Sequence, residues 1–523
     1  MPDVLIYDTT LRDGCQAEGI AFSVEDKLLV AERLDDFGVS YIEGGWPNPT
    51  SPKDREFFQR AADRQWSTAK IAAFGSTRRA GIEPDGDAQL QDLVASQAPV
   101  ITIFGKSWDL HVTEILRTTR DENLRMIEDS VAWLKTQVPE VIFDAEHFFD
   151  GFCADEAYAL ECLRAAARGG ADFLVLCDTN GGMLPHRVHE IVARARTELA
   201  TPLGVHCHND SGTAAGNTLT AVQAGCTQVQ GTVNGFGERT GNANLCTIIP
   251  NLELKLGLRC LPPGKLSELT SVSHYVSEIA NVMPDHRAPY VGHSSFAHKG
   301  GMHVNAVMKD PTSFEHVAPE TVGNERRILV SDYSGSSTIQ GKLRQLWPDL
   351  DRNDPIVAEV LNRVKQLENE GYQFEAAEGS LQLLARRLRG ELDEFFELHG
   401  YRVSILKADE KSEPYSEATV KVSIGDREVH TAADGDGPVN ALDNALRKAL
   451  TELFPRLQRV QLVDYKVRVL TADEGTATKV RVLIETTDGE ATWGTVGVHE
   501  NIIEASWQAL VDAILYGLLR NGD

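Results

Sequence analysis

The feature that most constrains the fold is an eightfold alternation, from the N-terminus to about residue 258, of short apolar runs with longer stretches of helical periodicity. Each helical stretch is long enough to return the chain to a parallel strand. Eight such units in ~255 residues fit a closed (β/α)₈ barrel better than an open doubly wound sheet. We therefore predict an α/β TIM barrel, with strands at Val4–Asp8, Ser40–Glu43, Lys70–Phe74, Val100–Phe104, Val141–Glu146, Phe173–Asp178, Leu203–His208 and Gln228–Val233.

The remainder of the chain differs from this pattern and divides into two further parts. Residues 261–400 contain helical patterns separated by a segment rich in Gly, Ser and His. From Tyr401 the chain is rich in strands and repeats itself, because Tyr401–Leu406 matches Tyr465–Leu470 and Ala441–Leu450 matches Ala505–Ile514. We predict a catalytic barrel at 1–260, helical linker subdomains at 261–400, and an α+β regulatory or dimerisation domain of two βββα repeats at 401–523.

Charge and cysteine usage exclude several classes of protein. The net charge of -26 disfavours nucleic-acid and membrane-surface roles, because it repels phosphate groups over most of the surface. The eight cysteines contain no C-x-x-C pair and resemble reduced cytosolic thiols. The N-terminal residues show no secretory pattern, so we expect a cytoplasmic protein.

Polar side chains at the predicted strand ends indicate a metal site. His206 and His208 lie two apart at the end of strand seven and therefore project together. Two histidines at a barrel mouth could also be simple hydrogen-bonding residues, so further ligands matter. Asp13 follows strand one and Asn242 follows strand eight. This mixed set of nitrogen and oxygen donors favours Zn, Mn or Mg with positions left open for substrate.

Several motifs together resemble one family of enzymes. They are Tyr7-Asp-Thr-Thr-Leu-Arg-Asp-Gly-Cys-Gln, Tyr41-Ile-Glu-Gly-Gly, His206-x-His208-Asn-Asp and Gly-Glu-Arg-Thr-Gly-Asn242. The chain is similar, over essentially its whole length, to the isopropylmalate, homocitrate and citramalate synthases, which are metal-dependent enzymes that condense an acyl-CoA. Segments such as Phe143-Asp-Ala-Glu-His and Gly292-His-Ser-Ser-Phe-Ala-His resemble the bacterial citramalate synthases more narrowly.

The resemblance implies roles for residues at the barrel mouth. The implied metal ligands are Asp13, His206, His208 and Asn242. Arg12 resembles the group that stabilises the oxygen that becomes an alkoxide, and a guanidinium suits this role because it stays charged. Glu43 resembles a supporting carboxylate that orients this cluster, with a helix cap as the alternative.

The resemblance also implies groups for proton transfer and substrate binding. Glu146 resembles the candidate general base, alone or with a histidine. His303 resembles a catalytic histidine supplied by the region after the barrel, with an ordinary flexible loop as the alternative for that glycine-rich segment. Thr179 resembles the hydroxyl that binds the carboxylate of the 2-oxo acid, with a helix N-cap as the alternative. Phe314 departs from the family pattern, which commonly has a tyrosine after the histidine, and this departure puts a phenol proton relay in doubt.

The implied reaction is a Claisen-type condensation of acetyl-CoA with pyruvate to citramalate, which leads to isoleucine. The alternative with 2-oxoisovalerate is isopropylmalate synthesis, which leads to leucine. A C–C lyase is less well supported, because it would not need the long tail, and the absence of a Met-Lys-Met site disfavours biotin-dependent carboxyl transfer. A non-catalytic metal-binding sensor is the alternative from a different class. The resemblance further implies a homodimer and feedback inhibition by isoleucine.

Overall fold

The computed structural model describes residues 3–331, 333–351, 353–392, 395–470 and 478–520, so parts of the predicted C-terminal segment lie outside the described residues. Eight parallel strands close into a barrel in chain order, which confirms the predicted fold. The strands are β1 Leu5–Asp8, β2 Tyr41–Gly45, β3 Lys70–Ser76, β4 Val100–Lys106, β5 Glu140–Glu146, β6 Phe173–Asp178, β7 Leu203–Cys207 and β8 Gln228–Gly231.

Helices follow the strands and surround the barrel. They are α1 Val24–Phe37, α2 Pro52–Ala62, α3 Ala88–Ala95, α4 Arg120–Lys135, α5 Phe148–Ala154, α6 Glu156–Gly169, α7 Pro185–Glu198, α8 Ala214–Gln223, α9 Leu245–Leu254 and α10 Leu269–Ile279. The sequence at both ends of α1 explains where this helix begins and ends. Ser23 and Asp26 form a capping box at the start of α1, and Gly38 ends it with a φ of 99°, which favours glycine.

Alternation along the strands separates two layers of side chains. One set, including Ile6 and Ile42, faces the helices and belongs to the main core. The other set points into the barrel, where Tyr7, Tyr41, Ala72, Val100, Ile142, Val175 and Cys177 form a separate apolar cluster. Polar residues of the same strand faces, such as Glu43 and Asp144, are buried nearer the carboxyl ends of the strands. The barrel interior therefore has an apolar layer, followed by a polar layer at the carboxyl ends of the strands.

The chain divides into two compact units, Met1–Phe296 with Val317–Arg326, and Ala297–His316 with Arg327–Asp523. The second unit begins with short elements and continues with helices and two sheets. Its strands are β9 Ala297–His298, β10 Arg327–Ile328, β11 Glu397–Leu406, β12 Tyr415–Ile424, β13 Arg427–Gly435, β14 Gln461–Val469, β15 Val480–Thr487 and β16 Thr492–His499. Its helices are α11 Gly301–Val307, α12 Ser336–Leu343, α13 Pro355–Asn369, α14 Glu378–Arg389, α15 Pro438–Leu450 and α16 Ile502–Arg520.

The repeat found in the sequence is a structural repeat. The orders β11-β12-β13 and β14-β15-β16 are both antiparallel meanders, and each is followed by one helix. This confirms the two predicted βββα units. By length and composition α16 could cross a membrane, and it is the one such helix in the described part of the chain. Most of it is buried, and Ala509 and Ile514 are among its side chains in the core.

A buried carboxylate connects the predicted linker to the second repeat. Asp512 of α16 accepts hydrogen bonds from Ser380 Oγ and Arg387 Nη2 of α14, both at 2.7 Å. Side chains of β16, among them Val496 and Val498, belong to the same apolar cluster as those of α13 and α14. The helical segment before residue 400 therefore shares a core with the C-terminal domain.

Candidate active site

A pocket of about 250 Å³ lies at the carboxyl ends of the barrel strands. Residues within β3 to β7 and in the segments that follow β1, β2, β6, β7 and β8 line it: Arg12, Asp13, Gln16, Trp46, Phe74, Phe104, Asp144, Glu146, Cys177, Thr179, His206, His208, Glu238 and Arg239. Barrel enzymes use this end of the fold for chemistry. Six of the nine residues predicted for the site are in this lining.

Three of the predicted metal ligands form one cluster. Asp13 Oδ2 lies 3.2 Å from His206 Nε2 and 3.9 Å from His208 Nε2. The two histidine Nε2 atoms are 3.3 Å apart, and all three residues are buried. Burial and the neighbouring His206 lower the pKa of His208 to about 3, so its ring is neutral at physiological pH. A neutral imidazole and a carboxylate are the forms that bind a divalent cation.

Asn242, the fourth predicted ligand, lies beside His208 through an isolated β-bridge. Its Nδ2 donates to the Phe236 carbonyl at 3.1 Å, whereas its Oδ1 is buried without a hydrogen-bond partner among the described residues. Gly237 makes room for this amide, because a Cβ there would lie 2.2 Å from Asn242 Nδ2 and the φ of 153° also favours glycine. A buried amide oxygen without a partner among the described residues, on a residue bridged to His208, fits a donor set for a divalent metal.

A second layer of buried side chains supports the cluster. His206 Nδ1 lies 2.9 Å from Gln230 Oε1, and Gln230 Nε2 donates to Asp144 Oδ1 at 3.0 Å. The Gln230 oxygen can only accept, so it fixes the tautomer with a hydrogen on Nδ1 and leaves Nε2 able to bind a metal ion. Burial, and then the charge of Glu43, raise the pKa of Asp144 to about 7. Sequence reasoning missed both Gln230 and Asp144.

Arg12 is held by groups on the barrel wall. Its Nε donates to Glu43 Oε1 at 2.5 Å, and its guanidinium lies 3.6 Å from the centroid of the Phe74 ring. The other carboxylate oxygen of Glu43 accepts from the Tyr7 hydroxyl at 2.8 Å. Glu43 is buried within β2 and caps no helix. The result is a rigid guanidinium that can present its remaining N–H groups to the pocket.

Glu146 and Thr179 lie on the other side of the pocket. Glu146 is the last residue of β5 and forms an ion pair with Lys106, the last residue of β4, which sequence reasoning missed. Thr179 Oγ1 accepts a hydrogen bond from the backbone N–H of His147 at 2.9 Å. Thr179 caps no helix, because α7 begins six residues later at Pro185.

His303 belongs to the second unit, in α11, and is exposed there. Its ring stacks on Phe314, with ring centroids 4.2 Å apart and an angle of 28° between the planes. Phe314 therefore occupies the face of the histidine, where it contributes an apolar contact and no hydroxyl.

Three family models match successive parts of the chain. An HMGL-like model matches residues 3–276, a homocitrate synthase post-HMGL domain-like model matches 290–372, and a LeuA allosteric (dimerisation) domain model matches 375–518. The first match covers the barrel and the candidate site. The third covers α14 and both βββα repeats.

Full-length relatives agree with these models. The chain is 54% identical to the (R)-citramalate synthase of Aquifex aeolicus (strain VF5), over 99% of this chain and 98% of the relative. It is 53% identical to the (R)-citramalate synthase of Geobacter sulfurreducens, over 98% of this chain and 97% of the relative. A probable 2-isopropylmalate synthase of Methanopyrus kandleri is 32% identical, over 98% of both chains. The chain belongs to the family of isopropylmalate, homocitrate and citramalate synthases.

Proposed function

We propose that the chain is an acyltransferase that condenses acetyl-CoA with pyruvate to form (R)-citramalate and CoA, in isoleucine biosynthesis. The single observation that carries the chemistry is the cluster of Asp13, His206 and His208, which shares one pocket with Arg12 and Glu146. Five relatives at 45–54% identity, all named (R)-citramalate synthase, support pyruvate as the acceptor.

We assign the four predicted ligands to a divalent metal, Mn, Mg or Zn. A metal held by Asp13, His206, His208 and Asn242 would supply Lewis-acid polarisation of the 2-oxo group of pyruvate. The mixed donor set suits these three ions better than a closed structural zinc site, which favours sulfur.

The chain's own residues complete the acceptor site. Arg12, held by Glu43, donates to the acceptor oxygen as it becomes an alkoxide, and it needs no reorientation because its Nε is already bound. Thr179 accepts from the His147 N–H, so its own hydroxyl hydrogen is available to the carboxylate of pyruvate.

Glu146 is the proposed base, with His303 as a second group for proton transfer. Glu146 takes a proton from the acetyl methyl group, and the electron pair of the broken C–H bond forms the enolate. The enolate carbon then bonds to the carbonyl carbon of pyruvate, while the C=O π bond opens to an alkoxide that takes up a proton and becomes the hydroxyl group of citramalate. Water then cleaves the thioester, which gives a carboxylate and releases CoA as the thiol. The hydrolysis makes the overall reaction effectively irreversible.

An aromatic wall supports a small acceptor. Trp46, Phe74 and Phe104 line the pocket and contact one another, with ring centroids 5.5–5.9 Å apart. Rings packed in this way yield little space for a branched side chain, and we expect them to favour the methyl group of pyruvate. Such discrimination is worth ~1–3 kcal/mol per methylene. The alternative acceptor, 2-oxoisovalerate, is therefore expected to react slowly.

The test is the release of CoA thiol from acetyl-CoA in the presence of each 2-oxo acid. Pyruvate is expected to give a kcat/KM at least ~10-fold above that of 2-oxoisovalerate. Higher kcat/KM with 2-oxoisovalerate would favour isopropylmalate synthesis. Metal binding without any thiol release would favour a non-catalytic sensor.

We further propose a cytoplasmic homodimer that isoleucine inhibits through the C-terminal domain. The match to an allosteric (dimerisation) domain supports this proposal. So do exposed apolar side chains on two edge strands, among them Ile405 and Leu406 of β11 and Val467 and Val469 of β14. The proposed catalytic, linker and regulatory segments are residues 1–260, 261–400 and 401–523, respectively.

Regulation is best tested on the full chain. A truncation after Gly400 would cut β11 and remove α16, on which α14 packs through Asp512. Inhibition by isoleucine, with leucine as the control amino acid, is therefore measured on the intact enzyme together with direct isoleucine binding. Indifference to millimolar isoleucine would make the C-terminal domain structural only.

A further inference from the structure

The ion pair between Lys106 and Glu146 is built into the mouth of the barrel. The two residues end adjacent strands and lie opposite each other in register. Only 13% of the Lys106 side chain and 25% of the Glu146 side chain are exposed. Enclosing two charged groups to this extent has a desolvation cost. An ion pair that served only stability could form on an exposed surface without this cost.

The strand end that carries Lys106 is itself fixed. The Lys106 carbonyl accepts from Asn123 Nδ2 at 2.9 Å, and Asn123 is completely buried on α4. The Lys106 ammonium also lies 5.2 Å from the centroid of the Phe104 ring, which lines the pocket. The backbone from which the Lys106 ammonium reaches the Glu146 carboxylate is therefore fixed by the barrel.

The contact leaves one carboxylate oxygen of Glu146 for other use. Lys106 Nζ engages Oε2, whereas Oε1 has no hydrogen-bond partner among the described residues. A glutamate side chain has three rotatable bonds, so a carboxylate without such a contact would sample many positions. A base works only within hydrogen-bond reach of the proton it removes, about 2.6–3.2 Å.

We propose that Lys106 is a positioning residue for Glu146. Lys106 holds one carboxylate oxygen of Glu146, so that the other oxygen faces the acetyl methyl group. This inference rests on the proposed function and on Glu146 as the base. In the proton-transfer step the C–H bond breaks, the proton goes to Glu146, and the electron pair stays with the substrate as the enolate. Lys106 itself neither gains nor loses a proton.

The experiment is a double-mutant cycle with Lys106→Ala and Glu146→Gln, in which thiol release and deuterium exchange of the acetyl methyl group are both measured. Lys106→Ala is expected to lower kcat ~10²-fold, with the KM for pyruvate within about twofold of the parent. In the Glu146→Gln background the same change is expected to cost less than ~3-fold, because Lys106 acts through Glu146. Added methylammonium is expected to restore part of the lost rate of Lys106→Ala.

Lys70→Ala is the matched control, because Lys70 Nζ pairs with Glu140 Oε2 at 2.5 Å at the opposite end of the same barrel. It is expected to leave kcat unchanged. If Lys106→Ala does not fold, Lys106→Arg keeps the charge and is expected to remain within about tenfold of the parent.

The inference is overturned if the kcat of Lys106→Ala equals that of the parent. It is also overturned if Lys106→Ala lowers kcat by the same factor in the Glu146→Gln background as in the parent. A loss in Lys106→Arg as large as in Glu146→Gln would also overturn it. Failure of the parent enzyme to release thiol with pyruvate would instead overturn the proposed function, so the two failures are distinguishable.

Discussion

Replacing Gln230 by leucine tests whether the layer beneath the histidines controls metal binding. The side chain is completely buried and bridges His206 and Asp144 through two hydrogen bonds, of 2.9 and 3.0 Å. Leucine fills a similar volume but can form neither bond. The change therefore removes the polar contacts and leaves packing nearly intact.

The magnitude follows from these two bonds. Loss of a partner that orients a histidine ligand typically lowers metal affinity ~10–100-fold, or ~1.4–2.7 kcal/mol. Asp144 also loses a donor, and a buried acceptor without a partner costs ~1–3 kcal/mol. We therefore expect the free energy of unfolding of the metal-free protein to fall by ~1–3 kcal/mol. We expect the free energy of metal binding to weaken by ~1.4–2.7 kcal/mol. At saturating metal the rate should largely recover.

Metal affinity would be measured by competition with a chelator, and the stability of the metal-free protein by urea unfolding. Gln228→Leu is the matched control, because Gln228 is a second completely buried glutamine of β8 whose amide atoms have no hydrogen-bond partner among the described residues. It should leave metal affinity unchanged. Unchanged affinity in Gln230→Leu, or an equal loss in Gln228→Leu, would refute the role of Gln230.

Three further outcomes are expected. Chelation should abolish thiol release, Mn, Mg or Zn should restore it, and His208→Ala should lower both metal affinity and rate; full activity of this variant in chelator would exclude the metal from the mechanism. Glu146→Gln should lower kcat by ~10²–10⁴ while pyruvate binding, measured by calorimetry, survives; a small loss would place the base elsewhere. Hydrogen bonding from Arg78 lowers the pKa of Glu122 from 4.5 to about 2, so the stability it contributes is present above pH 4.5 and lost as pH falls toward 2. Glu122→Gln should therefore reduce the acid-induced loss of stability in urea unfolding, and an unchanged loss would contradict this assignment.

The barrel was predictable because its information is local and repeated. Each strand is an apolar run bounded by helical periodicity, and predicted and observed bounds differ by at most two residues, as at β8, which ends at Gly231 and not at Val233. The repeat at the C-terminus was predictable for the same reason, since Tyr401–Leu406 and Tyr465–Leu470 match as sequences before they match as strands.

The supporting residues were not predictable, because their roles depend on pairs that are distant in sequence. Gln230 is 24 residues from His206 and 86 from Asp144, and nothing in its neighbours marks it as polar support. Lys106 lies 40 residues from Glu146 and two beyond the predicted end of strand four. Only the register of β4 with β5, fixed in three dimensions, brings these two side chains together.

The charges at the pocket give a physical reason for a metal at this site. Arg12 contacts both Glu43 and Asp13, Lys106 contacts Glu146, and Arg239 contacts Asp210. Each of these cations is thus compensated by a carboxylate, in a chain whose net charge is already -26. An anionic 2-oxo acid would enter against this field, because these three cations are already paired with carboxylates. A divalent cation bound by one carboxylate and neutral nitrogen and oxygen donors would leave net positive charge where the proposed function places the carboxylate and the 2-oxo group of pyruvate. On this reasoning a divalent cation and the 2-oxo acid are expected to bind cooperatively, because a cation held by these residues would offset the repulsion and would also supply Lewis-acid polarisation of the carbonyl group.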